Sequence, residues 1–263
     1  MFENLKKYKT LYNKRFTIFE IENFLSEENY KNIYDNFPKL NNNELDPLSV
    51  GNGKFSINYL NSELYNSKIM SNKALKELHN SFSNKENLEK LLKITKQLFL
   101  FDKNQSFYKK MKIFFRKFKF IDHPGRVLPK KSFFQRLCYN YVWPSIEFSY
   151  MNKNAKIPPH TDSPSKLISL MLYFPDEDFS ENQIKELGTA FYDSDIKNDK
   201  NIHQKNEEES KFLKRNKKIL TLPFRKKNLY GFFRNFYSWH GVENINLKEN
   251  QLRKSINLNI MLY

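Results

Sequence analysis

The pattern that most constrains this chain begins near residue 145. From there apolar residues recur at every second position in short runs: SIEFSYM, LISLMLYF, TAFY, KKILTL, NLYGFFRN, WHGV and RKSINLNIM, separated by turn-forming or polar stretches. A two-residue period puts alternate side chains on opposite faces of a strand. Many short strands with turns between them argue for an antiparallel barrel or sandwich and against βαβ units.

Upstream the pattern is mixed. FTIFEIENFL at 16–25 reads as a strand. Ser26 then caps a helix whose Tyr30, Ile33, Tyr34 and Phe37 share one face, and Pro38 closes it. Residues 41–55, with NNN and GNG, read as loops and turns. A helical region covers 72–101. Leu75, Leu78 and Phe82 mark its first part, and Ser83 with Glu86 offers a capping box for the second. MKIFFRKFKF at 111–120 is basic and aromatic. It is expected to pack its aromatics on the domain and expose its lysines, the alternative being a membrane-surface segment. HPGRVLP at 123–129 breaks the chain. The expected organisation is one domain over 1–263: a helical and mixed part at 1–125, then a β core at 126–263 with a polar insertion at 193–216. His203, within that insertion, reads as a surface residue.

A chain of 263 residues, 39% hydrophobic and 16% aromatic, can bury a sizeable core. Its net charge of +16 fits an anionic partner or a compositional bias toward Lys. No arginine-rich stripe marks a phosphate track, so nucleic acid is disfavoured. The single cysteine, Cys138, excludes a disulfide framework within the chain and a cysteine-rich zinc site, and is expected to be buried. MFENLKKYKTLYNKRF lacks a signal-peptide core, and no run reaches the ~20 apolar residues of a membrane span. The expected setting is soluble and cytoplasmic.

His160 and Asp162 sit two residues apart in PPHTDSPSKLISLMLYF, so an extended chain aims both to one side. Of the other histidines, His79 lies in a helix, His123 in a turn and His203 in the insertion. His240, in FYSWHGVE, is where a late strand can return beside an early one. Two imidazoles and one carboxylate suit non-haem Fe(II), and zinc would accept the same set. On the final strand Arg253 and Ser255 share one face, and Ile256, Leu258 and Ile260 the other. An arginine facing into a barrel is costly unless an anion meets it. A carboxylate held through two parallel bonds would do so.

His160-x-Asp162, LISLMLYF, GTAFY, WHGV and RKS, in that order, resemble the Fe(II)/2-oxoglutarate-dependent dioxygenase superfamily in its prolyl-4-hydroxylase-like branch. FTIFEIENFLSEENYKNIYDNFP is a weaker echo of the same branch. The resemblance implies a mainly β fold with N-terminal helices, a double-stranded β-helix of the jelly-roll, cupin-like kind. It implies Fe(II) on His160, Asp162 and His240, and 2-oxoglutarate on Arg253 and Ser255. Ser169 and Tyr150 fall where the family lines the co-substrate pocket. With O2, the implied reaction is hydroxylation of an unactivated C–H bond, with succinate and CO2 as co-products. Leu187, in ELGTAFY, stands where the family often has glycine. Arg126, Lys153, Lys156 and Lys166 make the mouth basic, which favours an anionic small molecule, with peptide substrates also open. Three rivals remain: a cupin-like metal-dependent isomerase or hydrolase with no use for Arg253 and Ser255, a catalytically silent β-barrel binding protein, and a basic aromatic protein binding lipid or nucleic acid.

Overall fold

The structure, a computed structural model, describes residues 8–40, 49–51, 53–59, 62–121, 132–198 and 207–262. His123, Arg126 and His203 lie outside the described residues. The N-terminal part contributes strands β1 (Tyr8–Tyr12), β2 (Ile18–Ile21), β3 (Ser49–Gly51), β4 (Lys54–Ile57) and β5 (Lys117–Phe120). Its helices are α1 (Glu27–Asp35), α2 (Ser62–Tyr65), which runs into a π turn, α3 (Lys73–Ser83), α4 (Lys85–Phe101) and α5 (Phe107–Phe115). After α6 (Phe133–Cys138) come β6 (Tyr139–Met151), β7 (Ile157–His160) and β8 (Lys166–Phe174). They are followed by α7 (Glu181–Glu186), β9 (Ala190–Asp193), α8 (Glu207–Arg215), β10 (Lys217–Thr221), β11 (Leu229–Phe233), β12 (His240–Val242) and β13 (Arg253–Leu262).

Strands β6 to β13 divide between two sheets. The larger runs β1-β2-β11-β8-β13-β6-β4-β3, with β5 also paired to β6, and the smaller runs β10-β9-β12-β7. The chain thus crosses between the two sheets repeatedly, which is the double-stranded β-helix. Pairing is antiparallel among the described strands except for β5 with β6.

The period of two decides what each face of the large sheet does. On β13, Ile256, Leu258 and Ile260 face outward and join Leu75, Leu78, Phe82 and Leu91 of α3 and α4 in one buried cluster. The N-terminal helices therefore cover the outer face of this sheet. Burying their leucines and phenylalanines is worth roughly 1.5–3 kcal/mol per side chain. Arg253, Ser255, Asn257 and Asn259 alternate with these residues and line a cavity on the other face.

Five local expectations change. Residues 41–55 are not loops throughout, because β4 extends the large sheet, with Ser56 opposite Ser149 of β6. The cap of α4 is Asn84, whose side chain accepts from the Asn87 amide, while Ser83 ends α3. An asparagine between two helices caps as well as a serine, so the cap shifts by one residue and, with Asn87 as its partner, no capping box forms. The described part of the 193–216 insertion contains α8, which is not wholly exposed: Phe212 is buried 4.7 Å from the ring of Trp239. Cys138 is exposed rather than buried, because α6 turns Phe133, Phe134, Leu137 and Cys138 outward. The segment 111–120 also departs from expectation. Only Ile113 of α5 reaches the core, with Phe118 and Phe120 partly packed, while Phe114 and Phe115 are exposed. No helix among the described residues is long and apolar enough to cross a membrane.

Candidate metal centre and adjoining cavity

His160 ends β7 and His240 opens β12, and the two are direct register partners. Their rings lie 4.4 Å apart between centroids. Gly241 permits the approach: a Cβ there would meet the Ile157 carbonyl oxygen at 2.5 Å. Each imidazole is oriented by its own chain. Nδ1 of His160 donates to the Pro158 carbonyl and Nδ1 of His240 to the Ser238 carbonyl, both at 2.9 Å. A carbonyl can only accept, so each Nδ1 carries a proton, and in the neutral rings the lone pairs then lie on Nε2.

Those lone pairs face Asp162. Nε2 of His160 is 4.0 Å from Oδ1, and Nε2 of His240 is 3.6 Å from Oδ2. One ligand atom from each of the three residues lies within 4.8 Å of the others, and all three residues are buried. Two further side chains hold the carboxylate: Lys166 Nζ reaches Oδ1 and Ser169 Oγ donates to Oδ2, each at 2.7 Å. Arg234 fixes the backbone below, donating from Nε to the Asp162 carbonyl at 2.9 Å.

The electrostatics keep this set ready for a cation. Burial works against the charge of Asp162, but the Lys166 ammonium, joined by the two histidines when they are protonated, outweighs it and holds the carboxyl well below the usual carboxylate range. Burial also lowers the His240 pKa against the pull of Asp162, which favours the neutral imidazole that a metal needs.

The triad lines a cavity of about 450 Å³ that also receives Ser169, Ser255 and Arg253. Arg253 is only 3% exposed. Its Nε donates to the Leu187 carbonyl at 2.5 Å and its Nη1 to Ser255 Oγ at 3.3 Å. The rings of Tyr173 and Phe224 lie 5.3 and 5.2 Å from the guanidinium carbon. Burial lowers its pKa, with Tyr173 alone opposing. Among the described residues no acid pairs with it. Leu187 thus supplies a backbone acceptor. The small residue needed in that turn is Gly188, where a Cβ would fall 1.6 Å from the Leu222 carbonyl oxygen.

Five sequence candidates therefore meet at one cavity directly: His160, Asp162, His240, Arg253 and Ser255. Ser169 joins them, but on the Asp162 carboxylate. Tyr150 does not. Its hydroxyl donates to the Pro38 carbonyl at 2.7 Å, and its ring packs edge-on to Phe37. Adjacent strand residues face opposite ways, so Ser149 lines the cavity and Tyr150 the helix-covered side.

The basic mouth is largely neutralised. Lys153 pairs with Glu249, Lys156 with Glu209 and Lys166 with Asp162. Sequence reasoning missed Arg234, Lys54 and Glu147. Lys54 Nζ and Asn257 Nδ2 both donate to Glu147 Oε1, at 2.7 and 3.1 Å, forming a polar wall across β4, β6 and β13. Glu147, two positions before Ser149, was legible from the strand period. Arg234 left no signal.

No protein-family model matches the chain, and no curated protein matches it. Solved structures similar to it include a prolyl-4-hydroxylase from Pseudomonas putida, 13% identical, covering 45% of this chain and 48% of that one, TM-score 0.27. A second is the epimerase SnoN in complex with Fe3+, alpha ketoglutarate and nogalamycin RO, 8% identical, covering 94% of this chain and 79% of that one, TM-score 0.46. A third is an oxidoreductase of the 2OG-Fe(II) oxygenase family from Burkholderia pseudomallei, 11% identical, covering 46% and 45%, TM-score 0.27. The chain spans about half the length of the first and third.

Proposed function

We propose that this chain is an Fe(II)- and 2-oxoglutarate-dependent oxygenase that hydroxylates an unactivated C–H bond of a polar small molecule or peptide. The donor set fits the metal: two neutral Nε2 atoms and a carboxylate converge from one side, leaving the cavity side free for further ligands. With 2-oxoglutarate and O2, such an iron supplies the oxidising power for the hydroxylation, and succinate and CO2 leave as co-products. The protein's own part is positioning. Pro158 and Ser238 fix the imidazoles through their carbonyls, and Lys166 and Ser169 hold the Asp162 carboxylate.

One observation carries the reading: Arg253 is a buried guanidinium with no acid beside it among the described residues, in the same cavity as the triad. An isolated buried charge costs several kcal/mol. A ligand carboxylate met by Arg253 and Ser255 would remove that cost, and the 2-oxo acid end of 2-oxoglutarate would be left for the triad that lines the same cavity. A cupin-like isomerase or hydrolase would use the triad and leave Arg253 without a purpose. The Lys54–Glu147–Asn257 wall supports a polar substrate. With its lysines paired, the mouth gives no reason to require an anionic one.

The test is calorimetric titration of anaerobic Fe(II)-loaded protein with 2-oxoglutarate and, separately, with pyruvate, which keeps the 2-oxo acid end and lacks the distal carboxylate. The expected result is binding of 2-oxoglutarate at least a hundredfold tighter. Equal affinities would sink the role of Arg253, and binding of neither would sink the oxygenase reading.

A further inference from the structure

Helix α5 is amphipathic the wrong way round for a helix in a core. At 100° per residue, Phe107, Tyr108, Met111, Phe114 and Phe115 fall in one stripe. All five are exposed, Phe107 at 77%, while Ile113 on the opposite side is buried. Lys110 and Lys112 flank the stripe on its two sides. The short helix α6 repeats the arrangement with Phe133, Phe134 (76% exposed) and Leu137. The two helices sit at one end of the large sheet. α5 leads into β5 and α6 into β6, these strands pair in parallel, and Lys117 is the register partner of Tyr139. Asn140 Nδ2 also donates to the Lys112 carbonyl at 2.8 Å.

An exposed apolar patch of this extent marks a docking surface, and its chemistry selects the occupant. Seven Lys or Arg and no acidic residue lie between Lys103 and Phe120. A second copy of the chain would bring the same positive charge to face it, so self-pairing is disfavoured. Phenylalanines below and lysines at the flanks suit a surface with anionic headgroups over hydrocarbon. Long lysine stems can then lift their charge to headgroup level while the rings enter the acyl boundary. We propose that the α5–α6 face docks this protein on an anionic lipid bilayer, inserting its phenylalanines, which would hold the cavity near a membrane surface. The inference is independent of the metal chemistry.

The experiment is co-sedimentation of the full chain with vesicles of phosphatidylcholine alone or mixed with phosphatidylserine. Binding is expected to the mixed vesicles only, and to weaken with added salt. Phe107→Ser combined with Phe115→Ser should weaken it about tenfold or more. So should Lys112→Glu combined with Lys117→Glu, since each cation near such a surface is worth about fivefold. Both double variants should keep the wild-type melting temperature and Fe(II) affinity, because these side chains support neither core nor triad. Retention of wild-type vesicle binding by the phenylalanine variant would overturn the proposal. So would failure of the wild type to bind mixed vesicles, a wild-type dimer that the phenylalanine variant converts to monomer, or preferential binding to single-stranded nucleic acid that vesicles do not displace.

Discussion

Replacing Arg253 by Met separates binding from stability. The guanidinium is buried, donates to the Leu187 carbonyl and to Ser255, and has no acid partner among the described residues. In the free protein it is therefore a desolvated charge only partly compensated. Methionine fills comparable volume without the charge, a kind of exchange that is often neutral or stabilising for buried ionic groups. The melting temperature of ligand-free Arg253→Met should hold or rise. Binding should change in the opposite sense. A ligand carboxylate would lose its ionic partner, at a cost of about 3–5 kcal/mol, which corresponds to roughly 150- to 5000-fold in affinity. Fe(II) affinity should stay within about threefold of wild type, since Arg253 is not a ligand, a difference of under 1 kcal/mol. The assays are thermal denaturation and anaerobic calorimetry with Fe(II), then with 2-oxoglutarate. Unchanged 2-oxoglutarate affinity in a folded Arg253→Met would refute the reasoning.

Ser169→Ala removes one hydrogen bond from the Asp162 carboxylate, so Fe(II) affinity should fall by about fivefold, near 1 kcal/mol, measurable by metal competition. Gly241→Ala places a Cβ against the Ile157 carbonyl and should spread the paired histidines. A loss of Fe(II) affinity of about tenfold or more is expected, as when groups supporting ligands are disturbed. Tyr150→Phe should lower stability by about 1 kcal/mol through the lost bond to Pro38 and leave 2-oxoglutarate binding unchanged. Asp102 is buried, and burial pushes its carboxyl up from 3.8 to about 6. The folded state therefore binds the proton more tightly than the unfolded one, and stability falls as pH rises from about 4 to about 6, by roughly 3 kcal/mol. Melting curves across that window should show this slope in wild type and lose most of it in Asp102→Asn.

The strands were legible because their alternation follows burial directly, and the same alternation put Arg253 and Ser255 on one face. His240 was legible from a short motif, but its pairing with His160 came from sheet register, which no local pattern encodes. Tyr150 shows where motif position misleads. Its neighbour Ser149 faces the cavity, and one residue along a strand reverses the side chain. Lys54 was hidden because β4 joins the sheet from a stretch rich in turn residues, and its partner Glu147 lies far along the chain. The exposed faces of α5 and α6 were illegible for a related reason. An amphipathic period gives the apolar side of a helix but not whether protein covers it.

The most direct measurement is the near-ultraviolet to visible absorption of anaerobic Fe(II)-loaded protein during titration with 2-oxoglutarate, followed by admission of air and assay of succinate. Wild type should develop a charge-transfer band on titration and then form succinate. Asp162→Ala, which removes the carboxylate of the triad, should do neither. Wild-type protein that binds Fe(II) but shows no band and forms no succinate would contradict the assignment of this cavity to iron and 2-oxoglutarate.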